Sequence, residues 1–280
     1  MRVTEKPSSS YSGAMTPASM ELKNERVAET KAGTDVVSAL VLSVLAGVFI
    51  SMGATFMLVV KSDASLPFAA TQLLGGFSFA LGLFLILAAG AELFTGNCLM
   101  VMGALAGRFS WGRLLASWVV VLLGNLLGSV LAAALVLAAD VASANGGALG
   151  EAAIAVAEGK VALGWGVAFF RAILCNLLVC LAVWVGHSAN SVTDKFFSAL
   201  LPVMAFMAAG FEHCVANMFF LPYALMLQAT GAASGTVDLP GVLHSLSAAT
   251  LGNLVGGVVL VGVSYWFVYG RSRAERGKRD

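Results

Sequence analysis

Charge is what this sequence has least of. Of its 280 residues, 11% are Asp, Glu, Lys or Arg and 59% are apolar. An ordinary soluble domain carries about a quarter charged residues. That class is excluded, and the chain must bury itself by placing helices in lipid. The formal net charge of +1 says little, and nothing in it calls for a nucleic-acid partner. Cysteine supplies no scaffold. Cys98, Cys175, Cys180 and Cys214 all fall in or beside apolar stretches without C-x-x-C spacing, which argues against a disulfide framework or a zinc site. No metal or other cofactor is expected. The first 30 residues are polar, with Ser, Glu and Lys where the apolar core of a leader would sit, so no cleavable signal peptide is expected. Histidine is scarce too. His187 and His244 lie near the ends of apolar stretches and only His213 lies inside one. A membrane haem protein or enzyme would need paired histidines within its spans, so neither is expected.

What is there is apolar sequence in six blocks. Residues 1–35 form a polar tail, Ser- and Pro-rich and disordered at its start, with a short amphipathic helix predicted from Met20 to Thr34 on the membrane surface. Val36 to Val60 carries no charge and is long enough to span. After Lys61, Asp63 and Pro67, apolar sequence runs from Phe68 to Gly107 with Glu92 its one charge. At about 1.5 Å of rise per residue, one straight helix of that length overshoots a ~30 Å hydrocarbon core. A helix broken at Glu92–Gly96 is therefore predicted. The third and fourth spans cover 114–138 and 164–185, joined by a polar, Gly- and Ala-rich loop that Lys160 closes. The fifth covers 196–228 and carries Glu212 and His213; the sixth covers 245–269. The organisation is thus an all-α polytopic membrane protein: tail 1–35, transmembrane domain 36–270 and a basic tail 271–280. The tails and the turns 108–113 and 187–195 hold 13 Lys and Arg, against Lys61 and Lys160 on the other side. The positive-inside rule then places both termini in the cytoplasm, in the inner (cytoplasmic) membrane.

The two broken spans carry the same pattern. Gly90-Ala91-Glu92-Leu93-Phe94-Thr95-Gly96-Asn97 and Gly210-Phe211-Glu212-His213-Cys214-Val215-Ala216-Asn217 both read G-x-E-x-x-x-x-N. Leu123-Gly124-Asn125-Leu126-Leu127-Gly128 is echoed by Leu251-Gly252-Asn253-Leu254-Val255-Gly256. Each half holds three spans, an odd number, so the repeats are inverted relative to one another. Duplicated, interrupted hydrophobic segments mark a transport site between two repeats.

A break at membrane depth exposes backbone that lipid cannot satisfy, so it must be buried in protein or line a cavity. Glu92 and Glu212 are read as structural acceptors for orphan amides at the breaks, with Asn97 and Asn217 capping or bridging the restarting half-helices. Those half-helices point partly positive ends inward, which suits an anion. His213 is the one imidazole at membrane depth and can hydrogen-bond an anion or exchange a proton with it. A weak acid crosses a dry barrier most cheaply in its neutral form. His213 at the centre and Lys160 at the outer mouth together attract the anion and favour its protonation. Arg171, inside the fourth span, receives no role beyond snorkelling or pairing across a protomer interface. An aquaporin-type pore for neutral solutes would show Asn-Pro-Ala at both breaks, and this chain has it at neither.

At these residues the chain resembles the formate/nitrite transporter family. The stretches that carry the resemblance are Ala91 to Asn97, Cys175-Asn176-Leu177-Leu178-Val179-Cys180-Leu181-Ala182-Val183-Trp184, and Gly210 to Met218, within roughly residues 35–270. The resemblance implies an aquaporin-like protomer of six helices with one pore each, a homopentamer, and transport of small anions of weak acids. Formate comes first, with nitrite and hydrosulfide as alternatives and acetate or lactate in some members; protons and the lipid bilayer are the other partners. Carried over by position, His213 is similar to the central pore histidine and Lys160 to the lysine of the outer vestibule. Thr95 is similar to the polar residue of the gating loop, and Asn176 to the asparagine near the histidine. Leu83 and Phe94 correspond to the cytoplasmic constriction, Phe79 and Phe206 to the periplasmic one.

Overall fold

The computed structural model describes residues 13–271. The Ser-rich start of the N-terminal tail and nearly all of the basic C-terminal tail lie outside them. Helix α1 (Pro17–Gly33) opens with Thr16 accepting from the Ser19 amide and Pro17 in the first turn, the arrangement that satisfies orphan N–H groups and needs none from proline. It does not lie free on a membrane surface. It buries Met20, Glu21, Asn24, Glu25, Ala28 and Ala32 against the end of the helix bundle, and Glu25 accepts from Arg108 at 3.0 Å.

Among the described residues five helices are long and apolar enough to cross a membrane: α2 (Val36–Lys61), α3 (Phe68–Gly90), α5 (Trp111–Ala138), α7 (Trp165–Gly186) and α10 (Leu239–Gly270). Two shorter apolar half-helices, α4 (Phe94–Leu105) and α9 (Cys214–Thr230), restart after the breaks. Helix α8 (Val192–Ala208), opened by a reciprocal Ser191–Asp194 capping box, supplies the first half of the fifth span. The remaining helix, α6 (Ala148–Val161), corrects the expectation of a loop before Lys160. Its run of alanines is strongly helix-favouring, and helix propensity outweighs polarity there.

The packing is twofold. Helix α2 packs on α3 and α5, and α7 packs on α8 and α10. The half-helices cross over: α9 lies against α5 of the other half, and α4 reaches α10. Close approach is bought with glycine. A Cβ at Gly128 would meet the Val44 carbonyl of α2, and one at Gly256 would meet the Ile173 carbonyl of α7. Small residues drive such contacts where lipid offers no hydrophobic gain. Leu115, Val119, Leu123 and Leu127 of α5 face outward and exposed, a lipid- or neighbour-facing stripe at helical spacing.

Candidate functional site

The two breaks are built alike. Gly90 and Gly210 end the incoming helices in the left-handed region, with φ of 84° and 69°, where a side chain would be strained. Three residues then run non-helical, Ala91–Leu93 in one case and Phe211–His213 in the other. The first half-helix amide at each restart is taken by an asparagine from the neighbouring span: Phe94 N donates to Asn125 Oδ1 at 2.9 Å, and Cys214 N to Asn253 Oδ1 at 2.8 Å. The same side-chain amides donate back, Asn125 to the carbonyls of Ser43 and Glu92, and Asn253 to those of Ala172 and Glu212. Each asparagine stitches three strands of backbone that lipid could not satisfy. Sequence reasoning gave this work to Glu92, Glu212, Asn97 and Asn217. The signal that could have assigned it was the L-G-N echo at Asn125 and Asn253, noticed as a repeat but not as a function.

The carboxylates do something else. Glu92 accepts from Lys31 Nζ at 2.8 Å and from Asn97 Nδ2 at 2.7 Å. Glu212 accepts from Lys160 Nζ at 3.0 Å and from Asn217 Nδ2 at 2.8 Å. Each break therefore carries a Lys–Glu–Asn cluster, and Lys31, which sits on α1 in the tail, was missed because nothing in its own neighbourhood marks it. Lys31 also donates to Asn97 Oδ1 at 2.7 Å. Lys160 has no such second bond among the described residues, and its ammonium stands 5.7 Å over the Phe220 ring, leaving donors for an incoming anion.

These clusters line two vestibules. One, on the side of α1, has a volume of about 480 Å³ and contains Lys31, Glu92 and His187. The other, on the far side, measures about 450 Å³ and contains Lys160 and Glu212. Between them is a void of about 10 Å³ lined by Phe79, Leu83, Leu93, Phe206 and His213 with aliphatic side chains. A water needs roughly 10–15 Å³ of such space, so the passage is closed to any anion until side chains move. Phe79 and Phe206 meet edge to face at 6.0 Å, and Phe206 stacks on His213 at 5.9 Å. Leu83, read from the sequence as a cytoplasmic constriction residue, lines both the void and the near vestibule, and so does Leu93. Phe94 lines neither space; it turns into the core, 4% exposed. Phe94 opens the restarting half-helix inside the core, and the extended residue before it, Leu93, lines both spaces.

His213 is the N-cap of α9. Its Nδ1 accepts from the Ala216 amide at 3.1 Å. A backbone amide only donates, so in the neutral ring the proton sits on Nε2. That Nε2–H donates to Thr95 Oγ1 at 3.1 Å, bringing together two residues the sequence singled out 118 positions apart. Asn176 does not reach the imidazole in this arrangement. It donates to the carbonyls of Asn253 at 2.6 Å and Thr95 at 3.2 Å, and so ties the two breaks to each other. At the membrane edge, His187 Nε2–H donates to Asn24 Oδ1 of α1 at 3.0 Å. Burial, then the charges of Lys23 and Lys31, lower its pKa to about 4.

Two inverted three-span halves, two half-helices meeting at a closed apolar waist, and a cationic group in each vestibule define the protomer of a membrane channel or transporter. The chain belongs to the formate/nitrite transporter family, whose model matches residues 19–267. It is 37% identical over 268 residues to the formate channel FocA of Escherichia coli (strain K12), covering 90% of this chain and 94% of that one. It is 35% identical over 237 residues to the nitrite transporter NirC of Salmonella typhimurium, covering 83% of each. Among solved structures, a pentameric formate channel with formate bound superposes with a TM-score of 0.75 at 37% identity, over 84% of this chain and 97% of that one. An FNT family ion channel superposes at 0.80 and 31% identity, over 89% and 98%.

Proposed function

We propose that this protein is a homopentameric channel of the inner membrane for small monovalent anions of weak acids, formate first, with His213 assisting protonation at the waist. The observation that carries the proposal is the imidazole itself, held by cap and hydroxyl at a closed, apolar point between two vestibules that each hold a lysine. The formate channels among the relatives support formate; the likeness to a nitrite transporter keeps nitrite as a second reading, and hydrosulfide is the third. The pentamer in a related structure supports five protomers here. The Lys/Arg asymmetry supports cytoplasmic termini, which makes the vestibule beside α1 cytoplasmic and the Lys160 vestibule periplasmic.

The chemistry follows from charge. A bare anion in the waist lacks both water and a counter-ion, which is expensive. Lys160 concentrates it at the mouth, and Thr95 and the His213 Nε2–H offer hydrogen bonds on arrival. When the ring takes up a second proton on Nδ1, the imidazolium can pass its Nε2 proton to the carboxylate, and the neutral acid crosses. Protonation of Nδ1 breaks the bond from the Ala216 amide, at about 1–3 kcal/mol for a buried donor left unpaired; the ring resets when Nε2 takes a proton from water and Nδ1 releases its own to water, which lets the amide bond form again. An uptake panel in proteoliposomes over formate, nitrite, hydrosulfide, acetate and chloride, at two pH values, tests the reading. Formate uptake that rises as pH falls, accompanied by protons, is expected. Chloride carried as well as formate, with no proton movement, would overturn it.

A further inference from the structure

The periplasmic vestibule holds a charge that neither the breaks nor the mouth cluster uses. Arg171 lies on α7, half-buried, and lines this cavity together with Lys61, Lys160, Gly210 and Glu212. Among the described residues its guanidinium makes one hydrogen bond, a long one of 3.4 Å from Nη1 to the Gly210 carbonyl. It forms none of the ion pairs found among those residues. Lys160 is paired with Glu212, and Lys61 donates to Gln72 at 3.0 Å. Three cations and one carboxylate therefore share the space, a net charge of +2. The cytoplasmic vestibule has Lys31 against Glu92 and a His187 that burial keeps neutral near pH 7.

The repeat shows that this guanidinium is not needed to hold the break. Asn125 donates to the Ser43 carbonyl where Asn253 donates to that of Ala172, so Ser43 and Ala172 occupy matching places. The glycine contacts keep the same register, Gly128 against Val44 and Gly256 against Ile173. The residue matching Arg171 is then Leu42, which lines the cytoplasmic vestibule. A break of the same construction stands there with an apolar side chain. The Arg171 charge is an addition on one side of the membrane only.

We propose that Arg171 is a specificity-determining residue. Its free N–H groups form an anion-receiving fork in the periplasmic vestibule that reads planar two-oxygen anions, carboxylate above all, before they reach His213. A guanidinium presents two parallel donors that match both oxygens of formate, whereas an ammonium is a point charge with no such preference. This inference rests on the channel reading above and assigns the fork to its periplasmic entry.

The test is formate uptake at low ionic strength, where screening is least, by wild-type, Arg171→Lys and Arg171→Leu proteins, each verified as the same oligomer by native mass measurement. Arg171→Lys keeps the charge and loses the fork. Its half-saturation for formate is expected to rise about fivefold with the maximal rate within about twofold. Arg171→Leu is expected to raise it at least as much. Wild-type half-saturation in the lysine variant would show that charge alone matters and overturn the fork. Should the leucine variant fail to assemble, the lysine variant decides alone; a fall in its maximal rate with unchanged half-saturation would assign Arg171 a merely structural role. Wild-type protein that carries no formate would instead sink the channel reading, an outcome separate from either result.

Discussion

Replacing His213 with asparagine separates the cap and the packing of the imidazole from the relay proposed for it. Asparagine is among the strongest N-cap residues, and its Oδ1 stands where Nδ1 does, so the bond from the Ala216 amide at 3.1 Å is retained. The variant should therefore fold, assemble and keep α9 in place, with stability lowered by no more than about 1–2 kcal/mol for lost ring packing against Phe206. The amide is shorter than the ring and loses the bond to Thr95 Oγ1. Above all it cannot exchange a proton near neutral pH. Removing a positioned proton donor costs about 10²–10⁴-fold in a step that depends on it, equivalent to about 3–5 kcal/mol of barrier. Proton-coupled formate uptake is expected to fall by at least about a hundredfold. Two missing ring atoms enlarge the waist, so a small, pH-insensitive anion leak is expected in its place. His213→Ala loses the cap as well and should cost a further ~1 kcal/mol of stability, which separates capping from relay.

The assay needs two readouts on the same liposomes: labelled formate, and a trapped pH dye. Formate entry without acidification would mark the leak. Wild-type formate uptake together with wild-type acidification in His213→Asn would show that the imidazole only packs and caps, and the relay would have to be abandoned.

Four further outcomes are expected. Lys160→Glu sets a second carboxylate against Glu212, and should cut uptake most at low formate and low ionic strength; initial rates measured in low and in high salt check it, and unchanged uptake would return Lys160 to a purely structural pairing. Asn253→Ala strips the Cys214 amide and two carbonyls of their partner and should lower the melting transition of the assembly by more than any surface change, at about 1–3 kcal/mol per unpaired buried group. Gly128→Ala drives a methyl into the Val44 carbonyl and should cost about 1–3 kcal/mol, read in the same melt. His187, neutral in its buried place with a pKa of about 4 against 6.5 in solution, favours docked α1 fully above pH 6.5. That contribution drains away as pH falls toward 4, by up to about 3 kcal/mol, so amide exchange in Pro17–Gly33 should quicken across that window and not above it.

How much of this was legible beforehand depended on whether the information was periodic or spatial. The spans were legible because lipid demands long charge-free runs, and Val36–Lys61 follows that demand almost to the residue. The breaks were legible because a run from Phe68 to Gly107 is too long for one helix. Their wiring was not. A buried asparagine on a neighbouring span satisfies a break through contacts some 30 to 40 residues away, and no local pattern announces that. Lys31 was illegible for the same reason: it meets Glu92 across 61 residues. The helix before Lys160 was misread because glycine and polar residues at its start outweighed a run of alanines.

The inverted repeat also sorts architecture from function without any other sequence. Positions that agree between the halves are those that hold the fold together: Gly90 with Gly210, Glu92 with Glu212, Asn97 with Asn217, Asn125 with Asn253, each pair in the same hydrogen-bonded or backbone role. Positions that differ carry the chemistry. His213 faces Leu93 in the alignment of the halves, and both line the waist, one polar and one apolar. Thr95 faces Val215, so one break supplies the hydroxyl and the other the imidazole that bonds it. A strictly symmetric pair of breaks would place either two imidazoles at the waist or none. Two would repel when charged and none would leave the anion unassisted. The duplicated frame therefore holds a single imidazole at its waist only because the two copies have diverged there, and the proposed relay depends on that divergence. The same divergence at Leu42 and Arg171 gives the two mouths different charge.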